Sequence, residues 1–265
     1  MKPLILLLTL CFFSFTYAQE NLFIYDYRNV PQDEMNNFKQ NEAEFWSKVH
    51  ANMLKKGQIT GWGMQSRVGG LESDPNIYFF LGLGSYENLD GLNKNYPKAV
   101  EEVMNSLDQN TQKIIEERLK QKSFRTANIL LNRNDGVTED MGGWNYILHN
   151  YAKANNVGAF TEAQSKYFKP FFEQNIKAKN TKQVAWITAS VLNPRGNHYN
   201  WNCYTADFYK NLSDIYNAWN SEITWPEDGL TAVGETMETP GFYKSVVWKR
   251  QMWIDGDGNF HKTEN

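Results

Sequence analysis

The stretch Asn21–Tyr27 (NLFIYDY) decides the fold, because a similar stretch, Asn145–Tyr151 (NYILHNY), follows 124 positions later, 145 minus 21. Both stretches are rich in aromatic and branched residues, which is typical of β-strands. The segment Gly61-Trp62-Gly63 matches Ala185-Trp186-Ile187 at the same displacement. Two segments that share one offset indicate that the second half of the chain is a diverged copy of the first.

Two further pairs of segments extend the match at slightly smaller displacements. Ser85–Leu92 matches Phe208–Ile215 at 123 positions, and Ile129–Arg133 matches Val246–Arg250 at 117 positions, differences that small loop deletions explain. We therefore predict a signal peptide at 1–18, a first repeat at 19–140 and a second repeat at 141–265.

Each repeat is predicted to have the order β-α-β-β-α-β. In the first repeat, Asp33 is the expected cap of a helix whose apolar side carries Phe38, Phe45, Val49 and Met53. A short helix is expected near Ser85, and a longer one from Pro97, with a stripe formed by Val100, Met104, Leu107, Ile114 and Ile115.

The second repeat shows the same order with weaker helical signals. Thr161 to Gln164 resembles a capping box ahead of Phe168, Phe172 and Ile176. The stretch 224–241 contains Pro226, Pro240 and several glycines, and it predicts a loop, a candidate lid over one barrel mouth.

The predicted order gives an α+β fold in which both helices of a repeat cover one face of an antiparallel sheet. Two fused repeats can bury the remaining faces by turning their ferredoxin-like sheets toward each other as an α+β barrel. With its paired Trp62/Trp186 and Tyr86/Tyr209, the chain resembles the dimeric α+β barrel superfamily in a tandem form, similar to antibiotic-biosynthesis monooxygenases and NIPSNAP-type proteins. The resemblance implies a small organic ligand or haem between the sheets, and a monomer that is a pseudo-dimer within one chain.

The N-terminus predicts export. Lys2 precedes an apolar run that ends in Thr16-Tyr17-Ala18, which is typical of a secretory signal peptide cleaved after Ala18. The mature protein is then expected in the periplasm or outside the cell, without membrane insertion. It would keep 26 basic and 30 acidic side chains, a formal charge of −4, because Lys2 is the one charge removed from the 27 basic residues. This charge argues against nucleic acid as a partner.

Strand alternation places Tyr25 and His149 on the face that we expect to point into the barrel. A neutral imidazole can accept a proton near neutral pH, so His149 is the candidate catalytic base. The alternative is that His149 is a hydrogen-bonded core residue.

Arginines and one hairpin complete the candidate ligand site. Arg67 ends a predicted strand, while Arg133 and Arg250 occupy matching positions in the last strands of the two repeats, and each could hold a carboxylate. The segment 193–202 adds His198 and Trp201. The alternatives are solvated or ion-paired arginines and a simple turn.

Metal chemistry is not predicted. Asp255 to Asn259 resembles the start of a calcium loop but lacks the acidic twelfth position, and the four histidines are scattered. The cofactor remains unassigned.

Two functions follow from these patterns. The first is an exported small-molecule binding protein or enzyme with its ligand between the sheets. The second is a noncatalytic secreted glycan-binding or structural module that uses exposed rings, with Trp219, Trp225 and Trp253 as candidates.

Overall fold

The computed structural model describes residues 21–120, 123–138, 143–219 and 223–263. The expected signal peptide lies outside the described residues. Nine strands form one antiparallel sheet, and their bounds are β1 Leu22–Arg28, β2 Gly61–Arg67, β3 Ile77–Gly84, β4 Arg125–Thr138, β5 Tyr146–Ala152, β6 Gln183–Asn193, β7 Cys203–Tyr209, β8 Lys244–Ile254 and β9 Phe260–Lys262.

The strand order is β2-β3-β1-β4-β6-β7-β5-β8-β9, and an additional pairing between β2 and β8 closes eight strands into a barrel. Residues 21–138, here called the first half, contribute β2-β3-β1-β4, and residues 143–263, the second half, contribute β6-β7-β5-β8. The β4–β6 and β2–β8 ladders join the halves at both edges. The protein is thus an α+β barrel without an open edge in its central sheet.

Helices cover the outside of the barrel, and each half places one interrupted helix on its sheet. Their bounds are α1 Met35–Asn41, α2 Ser47–Lys55, α3 Tyr86–Asn105, α4 Gln109–Leu119, α5 Val157–Ala163, α6 Lys169–Lys177, α7 Leu212–Tyr216 and α8 Glu227–Thr236. A π-helical turn, Glu42–Trp46, connects α1 to α2, and a second one, Gln164–Phe168, connects α5 to α6.

Three clusters of buried side chains form the core. One fills the barrel, and the other two lie between each half-sheet and its helices. Phe45, Val49 and Met53 are fully buried under the first sheet, as their helical spacing predicts. Trp62 and Trp186 are both core residues on the helix-facing side, where Trp62 stacks on His50 and Trp186 stacks on Phe172.

Several local predictions are wrong. The first helix begins at Met35 after Glu34, without a side-chain cap from Asp33. The predicted helices near Ser85 and Pro97 are one helix, α3, and the apolar stripe breaks at Asp108, which caps α4. Thr161 lies inside α5, which Asn156 caps.

The predicted loop 224–241 contains a helix, α8, which contacts α5 and the second π-helical turn. Its Gly229 has a packing role, because a Cβ there would lie 2.6 Å from Tyr167 Cβ. None of the described helices is long and apolar enough to cross a membrane.

Candidate functional site

The predicted site residues lie in three places along the barrel, namely at its two ends and in its middle. Tyr25, Arg133 and Arg250 line a pocket of about 440 Å³ at one end, and Arg67, His198 and Trp201 line a pocket of about 320 Å³ at the other. We call these the near pocket and the far pocket. His149 lies between them and lines neither.

Hydrogen-bonded rings close the middle of the barrel. The Tyr25 hydroxyl is 2.8 Å from the Tyr204 hydroxyl and 3.5 Å from His149 Nε2. His149 Nδ1 is 3.0 Å from the Tyr151 hydroxyl, which is also 3.0 Å from the Tyr27 hydroxyl. The His149 side chain is 0% exposed, and desolvation lowers its pKa to about 3. His149 is therefore buried, neutral and hydrogen-bonded, and its role as a catalytic base stays a prediction.

The near pocket combines cations with aromatic walls. The Arg250 guanidinium lies 3.4 Å from the centre of the Trp253 ring and 4.7 Å from that of Trp144, and it donates to the Trp144 carbonyl. Burial lowers the pKa of Arg250 to about 10. Arg133 donates to Asn21 Oδ1. The register gives both arginines equivalent places, because each backbone N–H bonds the residue that precedes the first strand of its half.

The aromatic residues predicted for glycan stacking do not form one platform. Trp219 and Trp225 pack against each other at 74°, and Trp225 is 37% exposed. Trp253 lies elsewhere, between Arg250 and His261. Coplanar exposed rings are the basis of that hypothesis, so the geometry does not favour it.

A third cavity, of about 610 Å³, lies outside the barrel, between the first half-sheet and helices α1 to α4. We call it the crevice. Its walls are mainly apolar and aromatic, and its ionisable lining residues include Asp26, Arg28, Glu42 and His50. None of these four was among the residues predicted for the site.

Glu42 lies at the start of the first π-helical turn and lines the crevice. Its side chain is only 4% exposed, and the carboxyl makes no hydrogen bond or ion pair with any part of the chain that the structure describes. Desolvation, partly offset by the charge of Arg28, raises its pKa to about 8. Single π-helical turns are frequent at functional sites, and a carboxyl that titrates near neutral pH can exchange protons with a ligand.

His50 lies two turns further along the same side of the helix. Its Nδ1–H donates to the Trp46 carbonyl at 2.7 Å, so Nε2 accepts from the Tyr96 hydroxyl at 3.1 Å. Burial lowers the pKa of His50 to about 3. The neutral imidazole is stacked on Trp62, with ring centres 5.0 Å apart, and holds the Tyr96 hydroxyl in place.

Asp26 binds two arginines, Arg28 and Arg125, that line the crevice. Its carboxylate accepts from Arg28 Nε at 3.2 Å and from Arg125 Nε at 2.8 Å. The Arg28 guanidinium also lies over the Phe79 ring at 4.9 Å. The charge of Arg28 therefore offsets only part of the desolvation of Glu42, and the nearby negative charge of Asp26 raises the Glu42 pKa further.

The sequence contains a signal for Glu42. It lies four positions after Phe38 and three before Phe45, which places a carboxyl within the apolar stripe of the helix. A charged residue at such a position is rarely buried without a partner.

The corresponding places in the second half carry no ionisable group. The π-helical turns are displaced by 122 positions, 164 minus 42, so Gln164 corresponds to Glu42 and Phe172 to His50. Gln164 is also buried, and Phe172 stacks on Trp186 as His50 stacks on Trp62.

Metal ligands are not grouped in the chain segments described. No three His, Cys, Asp or Glu side chains there could hold a metal ion together. Both His50 nitrogens are engaged in hydrogen bonds.

The comparison with solved structures shows the fold. A candidate monooxygenase from Fusobacterium nucleatum has a TM-score of 0.55 at 12% identity, over 94% of this chain and 100% of its own. One from Lactobacillus acidophilus NCFM has a TM-score of 0.53 at 7% identity, over 92% and 96%. An anthrone oxidase-like protein has a TM-score of 0.54 at 12% identity, over 91% and 94%.

No protein-family model matches the chain, and no curated protein matches its sequence. The similarity to these solved structures extends over nearly the whole chain, so the chain shares their fold.

Proposed function

We propose that the protein is an enzyme that oxidises a small, planar, largely aromatic molecule bound in the crevice, with Glu42 as the group that exchanges a proton with the substrate. The observation that carries the proposal is the buried Glu42 carboxyl, which lines an aromatic cavity without a partner among the described residues. The monooxygenase and anthrone oxidase-like neighbours support the reaction class.

The proposed reaction starts when the Glu42 carboxylate takes a proton from an activated CH₂ group of the substrate. The electron pair that stays on the carbon reduces dioxygen, which is the co-substrate, and a carbon–oxygen bond forms. Loss of water then leaves a carbonyl, so that CH₂ and O₂ give C=O and H₂O. The Tyr96 hydroxyl donates its one proton to His50 Nε2, so its oxygen can accept a hydrogen bond from the substrate and hold it beside Glu42.

The sequence predicts a ligand between the two sheets, but in the structure a ligand could enter that space only at its two ends. The tyrosine and histidine rings fill its middle. The crevice is larger than either the near or the far pocket, and it contains the Glu42 carboxyl, whose pKa is raised. We therefore place the substrate on the helix-facing side of the first half-sheet.

The test uses the purified chain with anthrone as the probe substrate and dioxygen consumption as the readout. We expect Glu42→Gln to lower kcat by about a hundredfold or more, which is typical for loss of a general base. The glutamine is the residue that the second half has at this place. Glu101→Gln, an exposed change on α3, is the matched control and should keep the wild-type rate. A wild-type kcat in Glu42→Gln would refute the role of Glu42.

Binding is measured separately, through quenching of tryptophan fluorescence, because Trp46 and Trp62 line the crevice. His50→Phe, again the residue of the second half, should preserve the stack on Trp62 and lose the hydrogen bond to Tyr96. We expect this substitution to lower kcat by a larger factor than it raises KM.

We further propose that the two halves are tandem ferredoxin-like repeats, that the chain is exported after loss of 1–18, and that it acts as a monomer. Each half has its strands in the same order, and the signal-like pattern at the N-terminus supports export. N-terminal sequencing and light scattering of the secreted protein test the last two points.

A further inference from the structure

The far pocket lies at the opposite end of the barrel from the near pocket and does not open on the crevice residues Glu42 and His50. Its floor is formed by Tyr27 and Tyr151, whose hydroxyls bond to each other. Its walls carry the aromatic residues Tyr199, Trp201, Tyr243 and Trp248.

Two residues that line this pocket, Arg67 and Trp248, have buried donor atoms. The Arg67 side chain is 10% exposed, and its Nε and Nη1 make no hydrogen bond within the described residues. Asp74 Oδ2 lies 3.5 Å from Nη1, which is an ion pair without hydrogen-bond geometry. The Trp248 Nε1–H is also buried, and the acceptor within its reach is the Tyr151 hydroxyl, at poor hydrogen-bond geometry. Buried polar groups are nearly always satisfied, so the Arg67 donors point to an acceptor that the chain does not supply.

The charged residues of the pocket favour a negatively charged acceptor. Arg67 and Lys244 are the cations, and Asp74, whose carboxylate is 2.5 Å from Lys244 Nζ, is the one carboxylate that lines the pocket. Asp74 thus neutralises one of the two cations. The balance leaves one positive charge for a ligand, within a chain whose own net charge is −3.

The size and the aromatic walls of the pocket indicate that the ligand also has a small ring system. A volume of about 320 Å³ fits one small ring system, and the Trp201 ring lies 4.7 Å from the Tyr151 ring beside it. Aromatic walls with a few placed donors are typical of sites for small planar molecules.

We propose that the far pocket is a second binding site, which takes a small aromatic carboxylate. Arg67 holds the carboxylate, the Trp248 indole N–H supplies a further donor, and the ring of the ligand lies among the aromatic walls. The site is independent of the crevice and of the oxidation proposed there.

Isothermal titration of the purified chain with benzoate tests this proposal, with benzamide as the neutral probe of the same shape. We expect benzoate to bind at least about tenfold more tightly than benzamide, because only the carboxylate forms charge-assisted hydrogen bonds with Arg67. Arg67→Met should weaken benzoate binding by about tenfold or more. Arg133→Met, at the near pocket, is the matched control and should leave it unchanged.

Two further variants keep the test decisive if Arg67→Met fails to fold. Trp248→Phe removes the indole N–H together with part of the aromatic wall and should weaken binding severalfold, whereas Val246→Phe fills the pocket without changing a charge and should abolish binding. Benzoate binding that is lost in Arg133→Met and kept in Arg67→Met would overturn the proposal. So would equal affinity for benzoate and benzamide, tighter binding of inorganic phosphate, or no binding of benzoate at about 10 mM.

Discussion

The Glu42 carboxyl makes the stability of this protein depend on pH in a predictable direction. Its pKa rises from 4.5 to about 8 on folding, chiefly through desolvation. The folded chain therefore holds the Glu42 proton more tightly than the unfolded chain, and its stability falls as pH rises from about 4.5 through about 8. Below that window the contribution of Glu42 is fully present.

The magnitude follows from the size of the pKa shift. Each unit corresponds to about 1.4 kcal/mol, so the full cost above pH 8 approaches roughly 5 kcal/mol. About 4 kcal/mol of this should develop between about pH 5 and about pH 9. Because Glu42 is buried, solvent screening takes little from this value.

Glu42→Gln removes the titrating group and keeps the shape of the side chain. We expect the free energy of unfolding of the variant, relative to the wild type, to rise by about 2 to 4 kcal/mol from about pH 5 to about pH 9. Urea unfolding at fixed ionic strength gives this difference from the midpoints, and an unchanged m value confirms that the two unfolding transitions expose the same surface. Other titrating groups, such as Asp207, act equally in both proteins and cancel. A difference that does not vary with pH would refute the assignment.

Three further perturbations test the core and the caps. His149→Ala should lower the free energy of unfolding by about 2 to 4 kcal/mol, through a cavity and the lost bond to the Tyr151 hydroxyl, without changing oxidation kinetics; a large loss of kcat would contradict the core role. Native Cys203 should resist thiol-specific labelling until the chain unfolds, since it is buried and desolvation raises its pKa to about 12. Asp108→Ala should lower the midpoint of thermal or urea unfolding, because Asp108 accepts from the Asn110 and Thr111 N–H groups at the start of α4. Asp33→Ala, at the predicted cap that is not used, is the control and should be neutral.

Strand alternation predicts which face of a strand points inward but not how deep each residue lies. The pattern in 21–27 places Phe23, Tyr25 and Tyr27 inside the barrel, and all three are buried there. The depth depends on how the strands of the two halves meet around the closed sheet. That register seals His149 in the middle while it leaves Tyr25 at the edge of the near pocket.

Predictions from short stretches of sequence were wrong where contacts with other parts of the chain determine the local structure. The apolar stripe after Pro97 suggested one helix, yet the Asp108 side chain caps a new one by accepting two backbone N–H groups. The glycines of 224–241 suggested a loop, yet Gly229 allows α8 to approach the Tyr167 side chain. Both cases depend on neighbours that a short window of sequence does not contain.

The difference between the two halves indicates where the chemistry lies. Both place a π-helical turn and a ring stacked on a tryptophan over their sheet, but the first half has Glu42 and His50 where the second has Gln164 and Phe172. The first half also covers its crevice with α3, of 20 residues, while α7 has 5.

The fold itself does not need a carboxyl at this place, because a buried amide occupies the corresponding place in the second half. A buried carboxyl without a partner costs several kcal/mol. Folding offsets only part of that cost, because the charge of Arg28 acts on Glu42 without a hydrogen bond or ion pair to its carboxyl among the described residues. A ligand that shares the proton of this carboxyl would supply the missing partner, and for this reason we assign the reaction to the crevice of the first half.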